Sequence, residues 1–336
     1  MKRIVVLGAT GFVGTHVALG LQSEACELVL ACRNTAHIHS ALKNEIIVQG
    51  DIRDQSYLIE LFRNADVVVN AFSWTALYAH EQESRELFFE PTLSLIDTAI
   101  ASNVKRFINL STTSAANGDV ANDANVKGIK RGFWPHLDNV VAIEEYLCSK
   151  ANIHFEVINL RCGLFVGEHY GLGLLPILLP RLKTHLVPLI ERGRTQMPLI
   201  GGEDIAQAFV KAAFAPSMPH LYEGINVLGT EIPTVKEVLE FIHHEFGYPF
   251  PHFSVSFPIA HLFAHLMEIL DPLMPSDPLV TRSIVHLLKN TNTDNQKAER
   301  LLGYSSQIDW RDAVRSQINE IHKRPFKPMK MAKDIG

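Results

Sequence analysis

The 336-residue chain is poor in cysteine, in charge of one sign and in unbroken apolar runs. Its four cysteines, Cys26, Cys32, Cys148 and Cys162, form no C-x-x-C pair. That argues against a disulfide scaffold or zinc knuckle and fits a reducing, cytosolic compartment. The sixteen histidines show no metal-ligand spacing, so no metal is expected. A net charge of −5 gives nucleic acid no electrostatic footing. No apolar run reaches the ~18 residues that a spanning helix needs. The nearest, over 172–190, is broken by Pro176, Pro180, Arg181, Lys183 and Pro188. Met1-Lys2-Arg3 opens basic, but glycines interrupt the apolar run after it, and the start does not read as a signal peptide.

What is plentiful is core material. Apolar residues make up 47% of the chain and charged ones 20%, which excludes a disordered protein. The apolar run Arg3–Leu7 leads into Gly8-Ala9-Thr10-Gly11-Phe12-Val13-Gly14 and then a helical pattern from Thr15. Strand, glycine turn and helix in this order form a phosphate-binding device. Gly8 permits the turn, Gly11 admits a pyrophosphate close to backbone N–H groups, and Gly14 lets helix and strand approach. Thr10, Phe12 and Val13 complete the turn, and the helix N-terminus supplies oriented donors.

Further strands are expected at 27–32, 45–48, 65–70, 105–110 and 153–160, with helices at 55–62 (capped by Asp54) and 83–103 between them. The alternation predicts an α/β fold: a Rossmann-like doubly wound parallel sheet with a smaller C-terminal substrate lobe. Ligands of such sheets bind beyond the carboxyl ends of the strands, where Gly8, Arg33, Asp51, Ala71 and Ser111 all fall. Arg33 stands where an acid would accept the 2′-hydroxyl of NAD. An arginine there suits the 2′-phosphate of NADP, so NADP is favoured and NAD is the alternative.

The G-x-x-G-x-x-G spacing resembles the short-chain dehydrogenase/reductase superfamily, in its extended or atypical branch, which includes the NAD-dependent epimerase/dehydratase family. In style the chain is similar to 3β-hydroxysteroid dehydrogenase and dihydroflavonol reductase-like groups. The resemblance runs on through Arg161-Cys162-Gly163-Leu164, Gly202-Glu203-Asp204-Ile205-Ala206 and Leu302-Gly303-Tyr304. It implies that Asp51 contacts the adenine amino group and Ile52 its ring. Ala71, Phe72 and Ser73 would lie beside the cofactor, and Cys162 and Leu164 at the nicotinamide end. It also implies a catalytic hydroxyl five residues before Gly118, which is Thr113.

The family's Tyr-x-x-x-Lys is not where it should be. Tyr146 and Lys150 match by pattern, but only Ala151 and Asn152 separate them from the next expected strand, too few for the helix to run on. Aligning Glu144 with the glutamate that follows the family lysine puts the lysine position at Val140 and the tyrosine position at His136. His136 is then the candidate proton donor.

The expected boundaries are a dinucleotide-binding domain over 1–165, a mainly substrate-binding lobe over 166–322 interleaved with the sheet, and a basic tail over 323–336. Residues 170–199 read as a lid, Thr234-Val235-Lys236-Glu237 as a capping box opening a helix to Phe246, and the apolar stretch 257–274 as a helix buried against the lid. That stretch leaves peripheral membrane contact as an alternative, and a homo-oligomer stays open. The function expected is an NADP-dependent oxidoreductase or epimerase acting on a small or hydrophobic carbonyl or hydroxyl compound. The alternative is a non-catalytic NADP(H)-binding protein, redox-sensing or assembling through partners.

Overall fold

The computed structural model describes residues 1–273 and 278–323. The first half runs β1 (Lys2–Leu7), α1 (Phe12–Gln22), β2 (Cys26–Cys32), β3 (Ile46–Gln49), α2 (Gln55–Leu61), β4 (Val67–Asn70), α3 (Glu81–Ser84), α4 (Glu90–Ala101), β5 (Arg106–Thr112), α5 (Pro135–Lys150) and β6 (Glu156–Cys162). Then come β7 (Leu164–Val166), α6 (Leu174–Leu182), β8 (Leu189–Ile190), β9 (Leu199–Gly201), α7 (Gly202–Phe214), β10 (Tyr222–Val227) and α8 (Val235–Phe246). The chain closes with β11 (Ser254–Val255), α9 (Phe257–Leu270), α10 (Arg282–Leu287), α11 (Gln296–Leu302) and α12 (Trp310–Lys323).

Seven strands form one parallel sheet in the order β10-β6-β5-β4-β1-β2-β3. The doubly wound α/β architecture predicted from the sequence is the one observed. Alternation along β1 divides the core. Ile4 and Val6 pack with Val17, Leu21, Phe209 and Ala212 of α1 and α7. Val5 and Leu7 pack with Leu58, Leu95, Ile96, Ile143 and Leu147 of α2, α4 and α5. Strands covered on both faces need continuous apolar runs, which is why Val67, Val68 and Val69 stand in a row.

A separate core joins α6, α8 and α12: Leu175, Leu179, Val238, Leu239, Ile242 and Val314 meet there. The capping box forms as expected, with Thr234 and Glu237 bonded reciprocally. Helix α9 departs from expectation. Only Ala260, Ala264 and Met267 are buried, whereas Ile259, Leu262, Phe263, Leu266 and Ile269 lie about half exposed or more. Small residues on the inner face let α9 lie close to its neighbours, and the bulky ones are left outside. Met274 and the tail 324–336, including Arg324, Lys327, Lys330 and Lys333, lie outside the described residues. No helix among the described residues is long and apolar enough to cross a membrane.

Candidate functional site

The carboxyl edge of the sheet begins with the glycine turn after β1. Gly8 takes φ +71°, and a Cβ there would stand 2.7 Å from the Ala71 carbonyl oxygen. A Cβ on Gly14 would meet the Gly8 carbonyl oxygen at 2.1 Å. These two contacts pin β1, β4 and α1 together. Gly11 differs: its Cβ would meet nothing closer than 3.4 Å, so its smallness serves the open side of the turn. As N-cap of α1, Gly11 provides no side-chain acceptor, and the first turn carries no acid. The N–H groups at the start of α1 are thus left to an anion, which suits a pyrophosphate. Thr10 is half-buried beside them and Val13 is in the core. Phe12 is roofed by Tyr170 and Phe165, with ring centroids 4.7 and 6.0 Å away.

Beyond β2 and β3 opens a cleft lined by Arg33, Asp51, Ile52, Arg53, Phe72, Ser73, Trp74 and Leu87. It gathers the residues assigned to the adenine end and adds Arg53, which sequence reasoning missed. Arg53 clasps Asp51: its Nε lies 3.0 and 3.1 Å from the two carboxylate oxygens, and its N–H donates at 2.9 Å. These bonds hold the Asp51 carboxyl below the usual carboxylate range. Exposed Arg33 makes no ion pair among the described residues.

At the nicotinamide end two assignments need correction. β5 and β6 each run two residues further than their apolar patterns indicate, so Ser111 and Cys162 are ladder residues rather than loop residues. Ser111 is buried and donates to Glu144 Oε1 at 2.6 Å. Cys162 is fully buried in the core, and burial pushes its thiol up, so it offers a ligand neither surface nor thiolate. Ala71 is buried behind Phe72 and Ser73, and half-buried Leu164 opens β7.

Thr113, 2% exposed, starts a 3₁₀ turn capped by Thr112, and the first turns of α5 pack on it through Ala115, Trp134, Leu137 and Val141. His136 follows Pro135 in the opening turn of α5, its ring 4.9 Å from that of Phe88. Phe88 is presented by a π-helical turn at Arg85–Phe89, a local widening that frequently marks a functional site. The Nδ1 of His136 is buried without a partner among the described residues, and burial pushes its pKa down to about 4. It is therefore a neutral imidazole at neutral pH. Val140, one turn on, packs with Trp74 and Phe88. From the second lobe, His286 Nε2 lies 3.0 Å from the Ser114 carbonyl oxygen, a contact with no sequence signal.

Tyr146 and Lys150 sit at the far end of α5, just before β6 begins at Glu156. Tyr146 bonds Asp97 at 2.7 and 2.8 Å, and Lys150 reaches the same carboxylate at 3.1 Å. This pair belongs to the amino edge of the sheet, opposite the glycine turn.

A model of the NAD dependent epimerase/dehydratase family matches residues 4–227. Among curated proteins, a 3beta-hydroxysteroid-dehydrogenase/decarboxylase isoform of Arabidopsis thaliana is 25% identical over 81% of this chain and 51% of its own. The chain thus spans about half the length of that relative. The dTDP-D-glucose 4,6-dehydratase of Mus musculus is 22% identical over 72% of this chain and 73% of its own. Among solved structures, a UDP-glucuronic acid 4-epimerase from Bacillus cereus in complex with NAD superposes with a TM-score of 0.71 at 19% identity, covering 96% and 99% of the two chains. A UDP-glucose 4-epimerase from Thermotoga maritima gives 0.69 at 16% identity, again over 96% and 99%. These likenesses carry the fold.

Proposed function

The chain belongs to the NAD dependent epimerase/dehydratase family, and on that premise we propose that it is a nicotinamide-dinucleotide-dependent oxidoreductase or epimerase that works without the tyrosine–lysine pair. NADP is the preferred dinucleotide, and the substrate is a small or hydrophobic carbonyl or hydroxyl compound. The observation that carries this reading is the open, acid-free N-terminus of α1 on Gly11, across the sheet edge from Thr113 and His136. The bound dinucleotide supplies the hydride chemistry. The α1 N–H groups hold its pyrophosphate, and Arg33 with Arg53 flanks the adenosine cleft. The Thr113 hydroxyl orients the substrate carbonyl. A neutral imidazole at His136 donates an N–H hydrogen bond to the same oxygen, which polarises a carbonyl without needing an imidazolium. The free thiols of Cys26, Cys32, Cys148 and Cys162 support a reducing compartment, the cytoplasm.

Val140 favours a second reading, in which the chain binds NADP(H) as a structural or redox-sensing ligand and acts through partners. A valine can neither hold a ribose nor tune a neighbouring acid. Titration with NADPH and NADH, then a panel of carbonyl compounds with cofactor absorbance followed, separates the two. Tight binding with oxidation of NADPH supports the enzyme, and tight binding without turnover supports the partner role. Absence of binding by either nucleotide removes both.

A further inference from the structure

Arg131 lies on the loop between β5 and α5 and reaches the turn that Thr113 begins. Its Nη2 donates to the Ala116 carbonyl oxygen across 3.4 Å, a long and weak contact. Its Nε is buried and has no acceptor among the described residues. Asp138 is close, but it accepts from the backbone N–H groups of Arg131 and Gly132, at 2.5 and 2.8 Å, rather than from the guanidinium. No carboxylate stands within ion-pair distance of Arg131 among the described residues.

Other sheltered arginines are treated differently. Arg106 has Glu156, Arg161 has Glu144 and Arg282 has Glu268. A guanidinium cannot shed its charge, so holding one half-buried with no carboxylate in contact costs free energy, and Asp138, acting from beyond ion-pair distance, offsets that cost only in part. Burial already pushes Arg131 below its ordinary value. His286, whose Nε2 meets Ser114 on the same turn, is pushed down by burial too and supplies no negative charge.

We propose that Arg131 binds an anionic group of the substrate, a carboxylate or phosphate carried next to the carbonyl that Thr113 orients. This rests on the reading of the Thr113 turn as the substrate side. The planar fork of a guanidinium suits either group through paired, charge-assisted hydrogen bonds.

The test uses the NADPH-loaded full chain and two matched pairs of probes: 2-oxobutanoate against butanone, and dihydroxyacetone phosphate against dihydroxyacetone. Binding is read from the change in NADPH fluorescence. One charged probe should bind at least about tenfold more tightly than its neutral counterpart, the worth of a single charge-assisted contact. Which pair shows the difference tells carboxylate from phosphate. Arg131→Gln should erase that difference, Arg131→Lys should keep part of it, and neither should change NADPH affinity. Charged probes that bind no better than neutral ones overturn the proposal, and this comparison needs no variant to fold. A preference that survives in Arg131→Gln overturns it equally. Failure of the native chain to bind NADPH would instead sink the dinucleotide reading, and this proposal with it.

Discussion

Arg161 and Glu144 meet in an ion pair almost closed to solvent, with side chains 2% and 4% exposed and Nε to Oε1 at 2.9 Å. The pair ends a buried polar chain across the sheet. Asn70 donates to Asn109 at 2.9 Å, Asn109 to Asn159 at 2.8 Å, and Asn159 to Glu144 at 2.8 Å. The three asparagines stand in register on β4, β5 and β6. Helix α5, with His136 at its head, is thereby fixed against the carboxyl ends of the strands. Arg161→Met should cost about 3–5 kcal/mol, because it leaves the Glu144 carboxylate buried and unpaired. Urea unfolding checks this. Adding Glu144→Leu should recover part of the loss, and a single variant as stable as the native chain would remove the argument.

Gly11 and Gly14 should fail in different ways. Gly14→Ala puts a Cβ on the Gly8 carbonyl, where neither backbone can yield. It should lower the melting temperature markedly and take cofactor binding down with it. Gly11→Ala has ordinary room and a φ of −83°. It should keep its stability within about 1 kcal/mol yet lose dinucleotide affinity at least about tenfold, since the methyl occupies pyrophosphate space. Comparable stability loss in both variants would show that the turn is merely structural.

Arg33→Asp tests cofactor choice. The exposed guanidinium has no ion-pair partner among the described residues and acts on Asp51 only from a distance, so the fold should tolerate the change. NADPH affinity should fall by about tenfold or more, while NADH binding holds or improves. An equal fall for both nucleotides would move the 2′-phosphate contact elsewhere, with Arg53 the next candidate.

The sheet was legible because parallel strands buried on both faces leave valine and isoleucine runs, as at Val67–Val69. The glycine turn was legible because its spacing is itself the constraint. Strand ends were not: β5 and β6 continue through polar or small residues, and that misplaced Ser111 and Cys162. Arg53, Arg131 and His286 carry no local signal, since what marks them is a partner, or a missing one, far away in sequence or set by the fold. Phe88 enters the site only through a π-helical turn that an apolar pattern of helical period does not reveal.

Tyr146→Phe and Lys150→Met should leave NADPH binding and any turnover intact. Both side chains are tied to Asp97 at the amino edge of the sheet. Phe keeps the partly buried ring of Tyr146 packed on the core, and Lys150 is only half-buried, so the cost in stability should be about 1 kcal/mol or less. Lost turnover in either variant would restore them as the catalytic pair and displace His136.

His136→Asn should change two things at once. The imidazole titrates near 4 in the folded chain against an ordinary value of 6.5. Between those values the unfolded chain binds the extra proton and the folded one does not. Stability is therefore full above about pH 6.5 and declines as the pH falls toward 4, by up to about 3 kcal/mol for this one group. His16, His261 and His286 are shifted the same way, and shifted carboxyls such as Asp51 and Asp204 also enter the native slope. Subtracting the His136→Asn curve isolates the share of His136, and coincident curves would mean that the ring is hydrated in solution. The same variant should lose turnover by about a hundredfold, the lower end for removing one positioned hydrogen-bond donor to a developing oxyanion, while NADPH affinity holds. If the slope changes and turnover does not, His136 is a buried packing residue, and the weight of Val140 shifts the chain toward the non-catalytic reading.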